Sequence, residues 1–218
     1  MKSVLISIQP KWVEKIASGE KTIEVRKTAP KQVPFKCYIY CTKAKSQWRY
    51  SDYEGAYENS KGKIVYAQQH IIGEFVCDGI AEFESEFHDD NSTEELRRVW
   101  YDEDDGERDA ELFAEDGDTN YLCTDACLTW NELKKYVGIG DRTFYGLHIS
   151  DLKIYDKPKE LSEFKTPPCE KGEKACEKCK YLVKIDTPDM HEVDCFVANG
   201  RPITRAPQSW QYVEELEE

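Results

Sequence analysis

No run of apolar residues in this 218-residue chain approaches the roughly 20 needed to cross a bilayer. No basic stretch followed by an apolar one opens it, as a secretory leader would. Both absences lead to the expectation of a soluble, cytoplasmic protein without a membrane partner. Apolar residues are only 39% of the chain, so its core must lean on large side chains, and 13 Tyr, 8 Phe and 5 Trp supply them. The nine cysteines are odd in number, and a reducing compartment argues against a disulfide framework. A calcium loop is also lacking. Counted from Asp102, glycine falls at the fifth position (Gly106) where the sixth is required, and the twelfth is Phe113, which offers no oxygen. A chain of this length buries one good core, so one domain with a small appendage is the prior.

Basic charge is scarce overall, at a net −13, but its distribution matters more than its total. Residues 82–118 carry 17 acidic side chains against 3 arginines. The remainder is nearly balanced, and residues 1–50 carry 11 Lys and Arg against 3 Glu. A basic N-terminal stretch can therefore attract a polyanion, while one acidic insertion sets the total.

The basic stretch holds the pattern around which the chain is organised. Val4 to Gln9 reads as a buried first strand. Pro10 suits the first turn of a helix, and Trp12, Val13, Ile16 and Ala17 give that helix one apolar face. Gly19 ends it in a left-handed conformation. Lys21 to Thr28 reads as a second strand, with Ile23 and Val25 toward the core and Glu24 and Arg26 on the other face. Lys21 sits at the strand entrance. An ammonium, a carboxylate and a guanidinium thus share one patch, where they can grip a polar, anionic ligand and move a proton.

Gly19-x-Lys21-x-x-Glu24-x-Arg26, behind a strand and a helix, resembles the signature of the ASCH domain, a relative of the PUA RNA-binding fold. Val4 to Pro10 and Leu147 to Pro158 also look like members of that family, especially those of phage and prophage genomes. The resemblance implies an α+β chain built on a small PUA-like β-barrel with flanking helices. It covers residues 1–164, with insertions at about 44–62 and 84–120, and its late strands would close both the barrel and the ligand cleft. Residues 201–218 form a C-terminal tail expected to pack back on this domain.

Further along, Phe35 to Thr42 reads as a third strand with Cys37, Ile39 and Cys41 on one face. In Ala44 to Gly62, Trp48, Tyr50, Tyr53 and Tyr57 alternate with Lys45, Arg49 and Lys61. Such aromatics can stack on unpaired bases, but rings anchoring a loop on the domain surface are the favoured reading. Strands are expected at Ile64 to Tyr66 and Ile71 to Phe83, and a short helix at Glu94 to Tyr101 capped by Ser92, inside an otherwise solvated acidic loop. Thr129-Trp-Asn-Glu132 is a capping box that opens a helix. Phe144 to Ile149 and Leu152 to Tyr155 are late strands.

Residues 165–200 form the appendage. Cys176-x-x-Cys179 has the spacing of a metal knuckle, and Cys169 and Cys195 can complete a tetrahedral site. Structural Zn2+ suits four thiolates in a segment too poor in apolar residues to fold by itself. His191 is a substitute ligand, and an iron–sulfur cluster or a reactive dithiol are lesser alternatives. Cys37, Cys41 and Cys77 read as core residues, and Cys123 and Cys127 as a facing pair on a helix.

Three functional readings follow. The first is an RNA-, nucleotide- or nucleoside-binding module whose cleft is lined by Lys21, Glu24 and Arg26. The second is a hydrolase of a modified nucleoside or of RNA, using Lys21 and Glu24. In ASCH-like amidohydrolases a lysine and a threonine of this motif act with a distant glutamate. Here Lys21 and Arg26 match that pattern, Glu24 stands at the threonine position, and no flanking motif anchors the glutamate. The third is a regulator that meets a protein partner through its acidic insertion. Against all three stands the plain reading of Lys21, Glu24 and Arg26 as exposed ion pairs worth about 0–1 kcal/mol each.

Overall fold

The first strand, β1 (Lys2–Ile8), is buried from Ser3 to Ile8, which places it in the middle of a sheet with both faces covered. Helix α1 (Pro10–Ala17) follows at once, with proline at its first turn, Val13 and Ile16 buried, and Gly19 at φ 77° just past its end. Strand β2 (Ile23–Arg26) comes next, then β3 (Phe35–Cys41). The computed structural model describes residues 2–44, 55–88, 94–101, 107–115, 120–168, 182–187, 190–195 and 200–216. The remaining elements in chain order are β4 (Tyr57–Glu58), β5 (Ile64–Val65), β6 (Ile71–Cys77), β7 (Ile80–Phe87), β8 (Glu95–Tyr101) and β9 (Arg108–Glu115), then α2 (Tyr121–Asp125) and α3 (Trp130–Val137), and finally β10 (Gly140–His148), β11 (Ser150–Lys159), β12 (Leu182–Thr187), β13 (Met190–Cys195) and β14 (Trp210–Val213). No helix among the described residues is long and apolar enough to cross a membrane.

Two five-stranded sheets carry the fold. One runs β11-β6-β3-β1-β14, and its only parallel pair is β1 with β3. The other runs β2-β10-β7-β8-β9 and is antiparallel throughout. The chain passes from the second sheet to the first at Ile149, between β10 and β11, whose N–H bonds to the carbonyl of Thr22 at 2.8 Å. The expected closed barrel is therefore corrected to an α+β pair of open sheets, one mixed and one antiparallel. Among the described residues no edge of one sheet pairs along the edge of the other. The reason lies in the insertion, because β8 and β9 extend the second sheet outward from β7 instead of leaving β7 free to close.

Each face is covered by a distinct set of side chains. Val4, Ile6, Ile8, Cys37, Ile39 and Phe75 pack with Val13 and Ile16 of α1 and with Leu147 and Ile149. The opposite face of that sheet, Leu5, Tyr38 and Tyr40, meets Phe164, Ile203 and Val213, so the segment around β14 covers it. Val25, Phe83, Phe87, Leu96 and Phe144 lie under Leu122 of α2 and Leu133 and Val137 of α3. The capping box of α3 forms as its residues dictate, with Glu132 N–H donating to Thr129 Oγ1 and Thr129 N–H to Glu132.

Two expectations are overturned within the acidic insertion. The helix expected at Glu94 to Tyr101 is the strand β8, and part of the expected solvated loop is the strand β9. Tertiary pairing wins over local propensity here. Leu96 and Val99 are buried, and Arg97 stands opposite Glu84 on β7. Arg108 then bonds both Glu82 and Glu84, at 3.0 and 2.8 Å. Cys123 and Cys127 do not face each other on a helix either, because α2 ends at Asp125 and Cys127 lies beyond it at φ 52°.

Candidate functional site

The alternation of β2 separates structure from chemistry. Val25 enters the core beneath α2 and α3, and Ile23 packs against it. Glu24 and Arg26 leave on the opposite face. Lys21 precedes the strand, its N–H bonded to the carbonyl of Lys15 at 2.9 Å, and the N–H of Thr22 bonded to Asp125 at 2.8 Å. These anchors seat the entrance of β2 between α1 and the loop after α2.

Lys21, Glu24 and Arg26 come together, and they do so out of water. They are 2%, 6% and 6% exposed. Each Glu24 oxygen faces one cation: Oε2 lies 3.3 Å from Lys21 Nζ and Oε1 lies 2.9 Å from Arg26 Nη2. Lys21 Nζ also donates to the carbonyl of Ala126 at 2.7 Å, and Arg26 Nη2 to the carbonyl of Ser7 at 2.7 Å. Arg26 Nε is buried without a partner. Exposed ion pairs on a strand face are therefore not what this trio is. Burying two cations and a carboxylate costs several kcal/mol per ion before their attraction is counted, so such a trio is weak evidence for stability alone.

The trio lines a cleft of about 770 Å³. Lys11 and Trp12 of α1 form one wall, Lys135 and Tyr136 of α3 another, Thr42 and Lys43 after β3 a third, and Pro207, Gln208 and Ser209 before β14 a fourth. Lys11 pairs with Glu132 at 2.8 Å and lies 3.9 Å from the centre of the Trp12 ring. The Tyr136 phenol lies beside Arg26; burial pushes its pKa up, and the guanidinium pulls the other way. Among the described residues, five cationic side chains thus line the cleft against two carboxylates, Glu24 and Glu132. The surplus positive charge, with the rings of Trp12 and Tyr136 beside it, suits an anionic ligand with a flat, apolar part.

The late strands do not close this cleft as expected. Strand β10 backs β2, with Tyr145 opposite Arg26, but the described lining comes from the helices, the ends of β1 and β3, and the C-terminal segment. Sequence reasoning missed Ser7, Tyr136, Lys135 and residues 207–209. It read Trp12 as part of the apolar face of α1; the residue packs against the core, as that face implies, and also looks onto the cleft. The aromatic insertion is described only from Gly55, and there Tyr57 is buried and donates to the carbonyl of Tyr155 at 2.7 Å. Cys37, Cys41 and Cys77 are buried, and burial raises all three thiols, so they belong to the core. Cys169, Cys176 and Cys179 lie outside the described residues. The backbone of Cys195 ends β13, opposite Leu182 on β12.

No family model matches this chain, and no curated protein does. Similar solved structures include the crystal structure of ASCH from Zymomonas mobilis, at 17% identity over 73% of this chain and 74% of that chain, with a TM-score of 0.40. A tyrosine-to-phenylalanine variant of the same protein is similar at 16% identity, over 74% of this chain and 77% of that one, with a TM-score of 0.40. A serine-to-alanine variant gives 16%, 73%, 75% and 0.40. At that distance the likeness carries no argument about this chain.

Proposed function

We propose that this chain is an ASCH-type binding module that holds RNA, or a nucleotide or nucleoside, in the cleft over Lys21, Glu24 and Arg26. One observation carries the reading: a buried Lys–Glu–Arg trio forms the floor of a cleft with surplus positive charge and two aromatic walls. The signature at residues 19–26 supports it independently. Phosphates would meet Lys43 and Lys135 at the mouth, and a base would lie against Trp12 or Tyr136. Arg26 presents a planar fork that lysine cannot imitate.

The geometry favours binding over turnover. Lys21 has one N–H bond on the Ala126 carbonyl and a carboxylate at 3.3 Å, and both Glu24 oxygens face cations. Neither group stands free as a base or nucleophile, and Glu24 fills the position where the related amidohydrolases have their threonine. The four-cysteine segment is proposed to hold one structural zinc.

The test is a panel of short single-stranded RNAs, nucleotides and acylated nucleosides, assayed for binding and for turnover with Lys21→Ala alongside. Binding that is lost in Lys21→Ala, without turnover in the parent, supports the module. Turnover in the parent that Lys21→Ala abolishes replaces it with the hydrolase. A panel that neither binds nor turns over removes the reading.

A further inference from the structure

The guanidinium of Arg26 does not reach its position through β2 alone. Its Nη2 donates to the carbonyl of Ser7, the next-to-last residue of β1. Ser7 is in turn held by the other end of the chain. Its N–H donates to the carbonyl of Ser209 at 2.9 Å, and its hydroxyl to the carbonyl of Pro207 at 2.6 Å. Trp210, the next residue and the first of β14, donates from Nε1 to the carbonyl and hydroxyl of Thr28, at 3.0 and 3.1 Å. Thr28 lies two residues beyond Arg26. The contacts therefore close a ring, from Arg26 to Ser7, to Ser209 and Trp210, and back through Thr28 to Arg26.

We infer that the C-terminal segment 207–213 is a working part of the ligand site, a clasp that fixes Arg26 by gripping Ser7 on one side and Thr28 on the other. Three of its residues, Pro207 to Ser209, already form a wall of the cleft. Strand β14 supplies the grip by pairing with β1, Trp210 opposite Ile6. Besides Glu24 and the Tyr136 phenol, Arg26 is oriented by Ser7: its Nε is buried without an acceptor, and its Nη2 serves both Ser7 and Glu24. If the clasp lets go, the Ser7 carbonyl is free to move and the fork loses its aim. A ligand held by Arg26 favours the seated clasp, and the seated clasp favours the ligand, because linkage is reciprocal. Ser7 and Trp210 are positioning residues in this scheme, and Gln208 is the side chain of the clasp that meets the ligand.

The experiment has two arms, and only the second rests on the proposed function. In the first, nitrogen-15 spectra of the arginine side chains are recorded without ligand. In the parent the Arg26 Nη protons should be resolved and slow to exchange, because the Ser7 carbonyl and Glu24 hold them. Trp210→Phe and Ser7→Ala should average or lose those signals, and Ser7→Thr, which keeps the hydroxyl, should restore them. Unchanged Arg26 signals in both Trp210→Phe and Ser7→Ala overturn the clasp, whatever the cleft binds. In the second arm, affinity for a labelled single-stranded RNA decamer is measured. Trp210→Phe should weaken it about fivefold or more, the lower end of ordinary coupling between sites. Leu96→Ala, a destabilising change in the core beneath the second sheet, should leave it unchanged. Equal losses in the two variants make the effect one of general stability and overturn the clasp. If the parent does not bind the decamer or any nucleotide, the cleft reading fails, and the spectra still decide the clasp.

Discussion

Replacing Glu24 by Gln keeps the shape of the side chain and removes its charge, which isolates the term that matters most at this site. Among the described residues, Glu24 is the only carboxylate placed between Lys21 and Arg26, at 3.3 and 2.9 Å, and all three are buried. Removing one partner of a buried pair leaves an uncompensated charge, which costs about 3–5 kcal/mol. Here it leaves two cations, relieved by no other carboxylate among the described residues but by the carbonyls of Ala126 and Ser7, the Trp12 ring beside Lys21 and the Tyr136 phenol beside Arg26. The loss should therefore lie at the upper end of that range. At about 2–4 °C per kcal/mol for a chain of this size, Tm should fall by roughly 10–20 °C. Urea unfolding gives the free energy directly, as a drop in midpoint at constant slope.

Three companion variants sharpen the test. Lys21→Met and Arg26→Met should each cost less than Glu24→Gln, because each leaves Glu24 with one cation. The double variant Lys21→Met with Glu24→Gln should cost less than the sum of its parts, since the two residues interact. A loss below about 1 kcal/mol for Glu24→Gln, the range of exposed pairs, would refute the argument. So would a loss that disappears in high salt, because a buried trio is poorly screened.

Four further outcomes are expected. Lys135→Glu, on an exposed position of α3 at the cleft mouth, should leave Tm unchanged, weaken RNA binding and flatten its dependence on salt, measured by titration at several ionic strengths. Neutralising Asp109 and Glu111 on β9 as amides should tighten RNA binding at low salt; deleting the insertion is the wrong test, because Phe87, Leu96 and Ala114 belong to the core and each large one contributes about 1.5–3 kcal/mol. Elemental analysis of protein purified without added metal should find about one zinc per chain, and Cys176→Ser should lose it. Burial works to raise the Glu94 pKa, but hydrogen bonds from Lys134 and Trp130 outweigh it and hold the carboxyl below its ordinary value. Its stability contribution is thus complete above the unfolded value, about 4.3, and falls away as pH drops through the folded value, so acid unfolding of Glu94→Gln should show a shallower slope below about pH 4.5.

What the sequence made legible is what local rules encode. The order β1, α1, Gly19 and β2 follows from an apolar run, a proline, a 3.6-residue period and a positive-φ glycine, all within 26 residues. The facing of Ile23 and Val25 against Glu24 and Arg26 follows from strand alternation. The capping box at Thr129 needed four residues. What stayed illegible depends on distant partners. Glu95, Leu96 and Arg97 favour a helix by themselves, and only pairing with β7 makes them a strand. The wall at residues 207–209 meets Ser7 from 200 positions away, and no local pattern announces it. Burial of the trio was hidden for the same reason, since Lys21 is covered by Ala126 and Arg26 by Ser7.

On the proposed reading, these distant contacts make the site a grip and not a reaction centre. A general base needs a lone pair directed at substrate, and a nucleophile needs an approach free of strong partners. Lys21 points into a carbonyl and a carboxylate, and Glu24 into two cations. The groups left to meet a ligand sit above this floor: Trp12, Lys43, Lys135, Tyr136 and Gln208. They offer rings, ammonium groups and one amide, which on the proposed reading would stack on a base, neutralise a phosphate and read a base edge. The floor's proposed part is to keep a guanidinium rigid and desolvated at the bottom of the cleft. There a single hydrogen bond to a ligand counts for more than it would in water, because the low dielectric strengthens it and the donor is already in place.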